Sequence, residues 1–433
     1  MNATTKSSTA ARAAWCVYNF GVAAWPVVIA TFVWGTYFST AILRAPEQGA
    51  QRWGTALSSA GLVVAVLGPV LGAVADRAGR RKPWLAGFAG LAVVATALLW
   101  FSTPEPASAV RTLLLVALAS VAYEFGLVFY NAMLRELALP GQLGRLSGWG
   151  WGLGYVGGLV CLLVALFGLI QVRSPPFGLA QLPAGPVRAT ALLVALWFSL
   201  FALPLFLLVP DRGRQPIALH AAVIAGLKEL KESLGRLRGE RSMLRFLIAR
   251  MIYADGLATL FIFGGIYAAG EIGLSLAEVI RFAILINAAA GAGALLFAWV
   301  DDWIGSKPTI VISLSALLGL GTAVLAVHSK PWFWALGIAL GVFVGPAQAS
   351  SRALMARMAP KGKETEMFGL YALSGTITAF MGPALYGFAS GRFASQRAGM
   401  AVVILFLAIG LLLLLRVKVP ALNGESDENS RTP

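Results

Sequence analysis

The stretch "GAVADRAGRRKPW", residues 72–84, gathers one acid and four bases between Asp76 and Lys82, while the chain on either side is almost wholly apolar. Over its 433 residues the chain is 58% hydrophobic and only 12% charged, with 13 Trp and a mean hydropathy of +0.78. That composition excludes a soluble globular protein. A membrane-spanning helix needs about 20 apolar residues at about 1.5 Å each. Twelve such runs can be laid out, at roughly 15–43, 53–75, 83–102, 109–137, 146–171, 188–210, 244–269, 277–300, 308–328, 331–357, 364–390 and 397–418. They lack the alternation of barrel strands, and backbone groups in lipid must be satisfied within the segment. The charged stretch is therefore the loop between spans 2 and 3 of an all-α polytopic membrane protein.

Charge distribution sets the expected orientation. Of the 34 Lys+Arg, 24 fall in the tails and in loops after even-numbered spans, 9 fall on the opposite side, and Arg250 lies within a span. A basic excess of this kind marks the cytoplasmic side, so both termini are expected there, in the cell inner (plasma) membrane. The net charge of +15 is topological in this reading, and nucleic acid is not expected as a partner. The polar N-terminus "MNATTKSSTAARAAW" carries no apolar core with a cleavage site, so a removable signal peptide is not expected. Cys16 and Cys161 both sit in apolar segments and imply no disulfide. His220 and His328 are too few and too far apart for a zinc site, and no cofactor or metal is expected.

The organisation is bipartite. Residues 211–243 are the one long polar interruption, with six spans before and six after. They divide the chain into an N-terminal lobe (1–210), a cytoplasmic amphipathic linker (211–243), a C-terminal lobe (244–418) and a polar tail (419–433) expected to be disordered. An internal repeat supports this division. Asp76-Arg-Ala-Gly79 after span 2 is matched by Asp302-Trp-Ile-Gly305 after span 8, each followed by a base, Lys82 and Lys307. Likewise "NAMLRELALP" (131–140) at the end of span 4 echoes "RALMARMAP" (352–360) at the end of span 10.

These features explain the charged loop. Gly79 permits the tight turn, the bases anchor the loop at the membrane face, and Asp76 lies where a carboxylate can meet a neighbouring helix N-terminus or a base. Asp76, Gly79, Arg80 and Lys82, with Asp302, Gly305 and Lys307, are expected to form a latch that holds the two halves in one conformation and releases in another.

The loop resembles the signature between spans 2 and 3 of the major facilitator superfamily. A closer resemblance covers nearly the whole chain. Through "TFVWGTYF" (31–38), "FYNAMLRELA" (129–138), "GRLSGWGWGLGYVGG" (144–158), "FLIARMIYADGLATLFIFGGIYA" (246–268), "DDWIGSKPTI" (301–310) and "SRALMARMAPKGKETEMFGLYALSGTITAFMGP" (351–383), it resembles the vacuole effluxer-like branch of that superfamily. The resemblance implies twelve transmembrane helices in two pseudo-symmetric six-helix lobes and secondary transport of a small solute. Efflux of amino acids or small metabolites is the expected activity, with a cation-coupled sugar symporter or a lipid or glycolipid flippase as alternatives. The family usually opens its first span with Tyr-Asp and, a few residues on, Asn-Ser. Here "VYNFGVAAW" (17–25) keeps Tyr18, has Asn19 in place of the acid and Val22-Ala23 in place of the polar pair. If those groups bind substrate or carry a proton in relatives, they are lost here.

Charge inside a span is costly, at least about 2.5 kcal/mol, and usually faces a cavity or a partner. Glu124 in span 4 and Asp255 in span 7 are the acids nearest the midplane, and both are candidates for a coupling proton. Glu124, Val128, Asn131 and Arg135 form one face of span 4; Gly341, Gly345, Gln348 and Arg352 do the same in span 10, and these stripes are expected to line a central path. Tyr130, Tyr253 and Asn287 are expected hydrogen-bonding groups there. The glycines of span 5 and "NAAAGAGA" (287–294) are read as close-packing faces. No nucleophile–base or metal constellation is visible for an enzyme, and no large soluble domain for a receptor. The expectation is a monomeric transporter in the lipid bilayer.

Overall fold

The computed structural model describes residues 8–139, 141–172, 175–211 and 241–419, together with positions 224, 228 and 232. Most of the linker, 211–243, and the tail beyond 419 lie outside the described residues. The described chain is helical throughout, with no strand among the described residues.

The N-terminal lobe contains α1 (Thr9–Val22), α2 (Pro46–Ala78), α3 (Lys82–Leu98), α4 (Ala109–Ala132), α5 (Leu143–Ala165) and α6 (Gly185–Leu208). The C-terminal lobe contains α7 (Arg241–Gly270), α8 (Leu276–Ile304), α9 (Ser306–Ala326), α10 (Lys330–Met358), α11 (Glu364–Thr376), α12 (Met381–Phe393) and α13 (Gln396–Leu415). Among the described residues, eleven helical segments are long and apolar enough to cross a membrane. The remaining crossing is a broken one, made by α11 and α12 in succession, where the sequence suggested a single run over 364–390. The break precedes Gly382-Pro383; a proline lacks the N–H that a continuous helix needs and is tolerated in the first turn of a new one. The freed Gly382 N–H is met by Asp255 Oδ2 at 3.0 Å. The first span is irregular as well. It continues past α1 through π-helical turns at Trp25–Phe32 and Phe38–Ile42, with Pro26 at the start of the first.

Small residues set the spacing of the helices. Within the N-terminal lobe α1 lies against α5 and α6, so closely that a Cβ on Gly157 would stand 2.1 Å from Phe20 O. The two lobes meet along α2 with α11 and along α5 with α8. A Cβ on Gly72 would stand 2.5 Å from Thr365 O, one on Gly369 2.6 Å from Gly68 O, and one on Gly148 2.5 Å from Ala298 Cβ. The close-packing reading of the span 5 glycines thus holds, and the same helix serves both its own lobe and the partner lobe. The glycine face of span 10 behaves differently from its expected role: Gly341 and Gly345 abut Ile286 O and Ala290 O of α8 within their own lobe, and they do not face a central path.

The loops around Gly79 and Gly305 and the chain segments at 138–139, 141–142 and 359–363 share one face, here termed the basic face. The positive-inside rule predicts that this face is cytoplasmic. Single cysteines at the exposed positions 80 and 361 are expected to react with an impermeant maleimide only after the cells are permeabilised, and cysteines at 105 and 329 in intact cells. The native Cys16 and Cys161 are buried and contribute little background. The opposite labelling pattern would reverse the orientation.

Candidate functional site

Two charge clusters tie the lobes together at the basic face. Gly79 (φ 80°) and Gly305 (φ 95°) make the turns, in a backbone region that glycine alone enters without strain. In the first cluster Asp76, at the end of α2, reaches the other lobe: Thr365 Oγ1 donates to Asp76 Oδ1 at 2.6 Å and Glu366 N donates to Asp76 Oδ2 at 2.9 Å. The carboxylate therefore caps the N-terminus of α11, where orphan N–H groups and the helix dipole favour negative charge. The second cluster repeats the device. Arg145 N, in the first turn of α5, donates to Asp302 Oδ1 at 3.1 Å, so an acid at the end of α8 caps the fifth helix of the first lobe. Arg145 Nε adds an ion pair to Asp302 at 3.3 Å.

Each cap has a guanidinium bound beside it. Arg81 is 1% exposed and bonds Asp76 Oδ1 (2.9 Å), Glu136 Oε1 (2.8 Å) and, across the lobe boundary, Glu364 Oε2 (2.9 Å) and Thr365 Oγ1 (2.8 Å). Burial disfavours its charge, but Glu136, Asp76 and Glu364 outweigh that and hold its pKa above the ordinary arginine range. In the second cluster Arg357 bonds Asp301 at 3.0 Å and lies 3.8 Å from Asp302. Arg135, at the end of span 4, donates to Ala359 O of the other lobe.

These loops do join the two lobes in this conformation, but the residues that do so differ from the expected ones. Arg80 is exposed and takes no part; Arg81, its neighbour, is the buried hub. Three consecutive residues past a turn point in different directions, and the sequence carries no sign of which one turns inward. Lys82 and Lys307 do not cross between lobes. Lys82 Nζ donates to Phe206 O and Val209 O (both 2.7 Å), and Lys307 Nζ to Leu415 O (3.0 Å) and Val417 O (2.6 Å). Each ammonium grips the C-terminal carbonyls of the last helix of its own lobe, where a cation is favoured. Glu136, Arg145, Arg357 and Glu364 were missed. The repeat carried a signal for two of them, since Glu136 and Arg357 occupy matching positions in "RELALP" and "ARMAP".

Above the latches lies a cavity of about 340 Å³ between the lobes, lined from α1, α4, α5, α8 and α10. It extends from Asn131 and Arg352 to Phe32, Leu166 and Ile280, residues near the helix ends of the opposite face. At that face the polar contacts among the described residues stay within one lobe, such as Tyr37 with Ser102 O, Lys330 with Glu278 and Arg397 with Glu271. Among the described residues the polar ties between the lobes thus lie at the basic face, and the cavity reaches toward the other.

Of the candidate solute ligands, Asn19, Asn131, Asn287 and Arg352 line this cavity. Asn19 Nδ2 donates to Gly150 O (2.6 Å) and Asn287 Nδ2 to Ala283 O (2.8 Å). Arg352 and Asn131 hold matching places in the repeat and meet across the boundary, Nη1 to Oδ1 at 3.3 Å. The other candidates lie outside the lining. Tyr130 and Trp15 clasp reciprocally: Trp15 Nε1 donates to Tyr130 O (3.0 Å), Tyr130 OH donates to Trp15 O (3.1 Å), and the rings stack at 4.3 Å. Tyr18 is buried against Tyr130, Tyr253 OH pairs with Ser351 Oγ (2.6 Å), and Gln348 is half-buried. Asp255 is 2% exposed and capping α12 from within its own lobe. Glu124 is half-buried, and the charge acting on it is Arg250 of the other lobe. Arg250 itself stacks on Tyr371 at 3.4 Å and donates to Ser374 Oγ at 2.6 Å.

Comparison with known proteins agrees with this architecture. Residues 55–425 match the family model described as "Vacuole effluxer Atg22 like". The uncharacterised MFS-type transporter YxiO of Bacillus subtilis (strain 168) is 23% identical over 437 residues, covering 99% of both chains. Autophagy-related protein 22-1 of Penicillium rubens is 25% identical over 299 residues, 63% of this chain and 49% of that one, so the match spans about half the length of the fungal relative. Among solved structures, the major facilitator superfamily transporter FucP in the outward conformation superposes with a TM-score of 0.75 at 13% identity, over 94% of this chain and 99% of that one. The proton:xylose symporter XylE gives 0.69 at 16% identity, over 94% of each chain. These structures show the fold.

Removing Arg81 takes from Asp76, Glu136 and Glu364 the cation they share at a largely buried site, a change that costs about 3–5 kcal/mol. Arg81→Gln is therefore expected to lower the thermal unfolding temperature of the purified protein markedly, while Arg80→Gln, an exposed substitution, stays within about 0.5 kcal/mol of the parent. Equal melting of the two variants would remove Arg81 from the centre of the cluster.

Proposed function

Because the chain belongs to the vacuole effluxer Atg22-like family of major facilitator transporters, we propose that this membrane transport protein moves a small metabolite outward by alternating access, in exchange for protons. The observation that carries the reading is the pairing of two pseudo-equivalent helix-capping latches at one face with an inter-lobe cavity that reaches toward the other. Opening the basic face requires both caps to leave their helices, and the two lobes then rock as bodies about the cavity. In this reading the working unit is a single chain in the plasma membrane.

Proton linkage is assigned to Glu124. Its carboxylate stands in the first lobe and Arg250, whose charge acts on it, in the second, so protonation weakens an attraction between the lobes. That is the property a coupling group needs: its charge must be felt differently in the two conformations. Asp255, the stronger candidate from sequence, interacts with α12 of its own lobe, and that contact moves with the lobe.

Glu124→Gln is expected to abolish transport driven by a pH gradient in proteoliposomes while counterflow exchange persists, because the amide keeps the shape and cannot release a proton. Asp255→Asn is expected to keep gradient-driven transport and to lose thermal stability, by about 1 kcal/mol for a weakened helix cap. Gradient-driven transport by Glu124→Gln, or its loss in Asp255→Asn alone, would move the coupling site to Asp255.

A further inference from the structure

Arg352 is 3% exposed in the middle of the molecule, and no carboxylate pairs with it among the described residues. Buried cations are normally paired, and an unpaired one is among the costliest groups a membrane protein can hold. The surrounding structure compensates in part. Arg352 Nε donates to Ser147 Oγ (2.9 Å), Nη2 to Ser147 O (2.5 Å) and Nη1 to Asn131 Oδ1 (3.3 Å). The guanidinium lies 4.9 Å from the Trp15 ring centroid, 5.6 Å from Trp151 and 5.8 Å from Tyr130, an aromatic surround that favours a cation. Gly150 leaves space for it, since a Cβ there would stand 2.9 Å from Nη2.

The compensation is incomplete in a directed way. A guanidinium has five N–H donors; Ser147 and Asn131 engage three and Tyr130 a further one, which leaves the group short of its full set and without a counter-charge. Trp151 Nε1 is a buried donor with no partner, and Trp151 lines the same cavity as Arg352. Asn131 accepts from Arg352 through Oδ1, so its amide N–H groups remain as donors. The whole cavity lining contains one cation and no Asp or Glu. Arg352, Trp151 and Asn131 thus present donors at this end with no carboxylate opposite them, and the remaining wall is largely apolar, with Val27, Val33, Leu159, Leu162 and Ile284.

We infer that the transported solute is an organic monoanion with an apolar or aromatic body, whose carboxylate is bound by the unneutralised Arg352 and the unpartnered Trp151 Nε1 within the Trp15–Tyr130–Trp151 surround. This inference rests on the transporter reading and narrows its solute. A zwitterionic amino acid carries the same carboxylate together with an ammonium, and the lining holds no acid to receive that charge; its desolvation goes uncompensated. A neutral solute leaves the guanidinium unpaired. All of the polar and aromatic partners of Arg352 belong to the opposite lobe, so an anion bound there competes for the groups that hold the lobes together at mid-depth.

The test uses the full-length protein in detergent and four ligands with one phenyl body and different head charges: 3-phenylpropionate, 3-phenylpropionamide, phenylalanine and 2-phenylethylamine. By calorimetry, 3-phenylpropionate is expected to bind about tenfold or more tightly than each of the others, the factor a charge-assisted carboxylate contact supplies. Arg352→Gln is expected to abolish that preference. Should that variant fail to fold, Asn131→Asp tests the same point with the fold supported: the new carboxylate pairs with Arg352 from inside, the melting temperature is kept or raised, and binding of the anion falls about tenfold. Equal affinity for the amide or for phenylalanine, unchanged anion binding by Asn131→Asp, or no binding of 3-phenylpropionate would overturn the inference. Counterflow in proteoliposomes separates the two readings. An anion that binds at Arg352 and is not exchanged removes the transport reading and leaves the site standing. Exchange of a different solute, insensitive to Asn131→Asp, removes the site and leaves transport.

Discussion

A carboxylate from each lobe seated on a helix N-terminus of the other is the interaction on which the observed conformation depends. Asp76 holds α11 and Asp302 holds α5, and neither contact exists within a single lobe. A helix N-terminus presents several N–H donors and about half a unit of positive charge, so each cap is strong in one geometry and falls away within a turn of displacement. That steepness suits a latch. The surrounding guanidinium groups of Arg81, Arg145 and Arg357 neutralise the buried acids, which could not otherwise be kept charged away from water. Glycines on the facing helices let the backbones approach until the caps engage, and a side chain at Gly72 would block the α2–α11 contact directly.

A latch between lobes works only if each lobe behaves as a body. Lys82 and Lys307 serve that condition from the same loops. Each ammonium binds the last carbonyls of its lobe's final span, closing the six-helix ring at the point where the loop could otherwise drift. One loop thus carries two kinds of charge with separate tasks, the acid reaching outward to the partner lobe and the lysine inward to its own. The repeat in the sequence preserves both, and the structure shows the duplicated roles.

Hydropathy made the number and order of the spans legible, because a lipid-crossing helix must be long and apolar whatever it packs against. The turn glycines and the capping acids were legible from their order and their repetition. What the pattern left open was direction. In an amphipathic soluble helix the polar face announces itself, but α4 and α7 carry weak amphipathic contrast, and an acid at mid-depth on either can face lipid, its own lobe or the partner. Asp255 and Glu124 therefore looked alike in depth while one faces α12 and the other Arg250. The choice of Arg81 over Arg80 is of the same kind. The split of α11 from α12 was written only in Gly382-Pro383, and its consequence, a backbone N–H needing an acceptor, explains an acid that otherwise resembled a proton carrier.

The placement of charge separates holding the conformation from handling the solute. Every acid in the two latches has an arginine beside it, and those clusters lie at the basic face, where the molecule meets water when the lobes part. Arg352 has no such acid, and it lies deeper, at the end of the cavity. If it were only a further tie between lobes, an acid in place of Asn131 would serve better, as the latches themselves illustrate. An amide there binds the guanidinium weakly and leaves its charge unspent. A fixed charge left unneutralised in a low-dielectric site interacts strongly with any mobile counter-charge that enters. The same feature that makes Arg352 costly to the empty protein therefore makes it selective toward what fills the cavity.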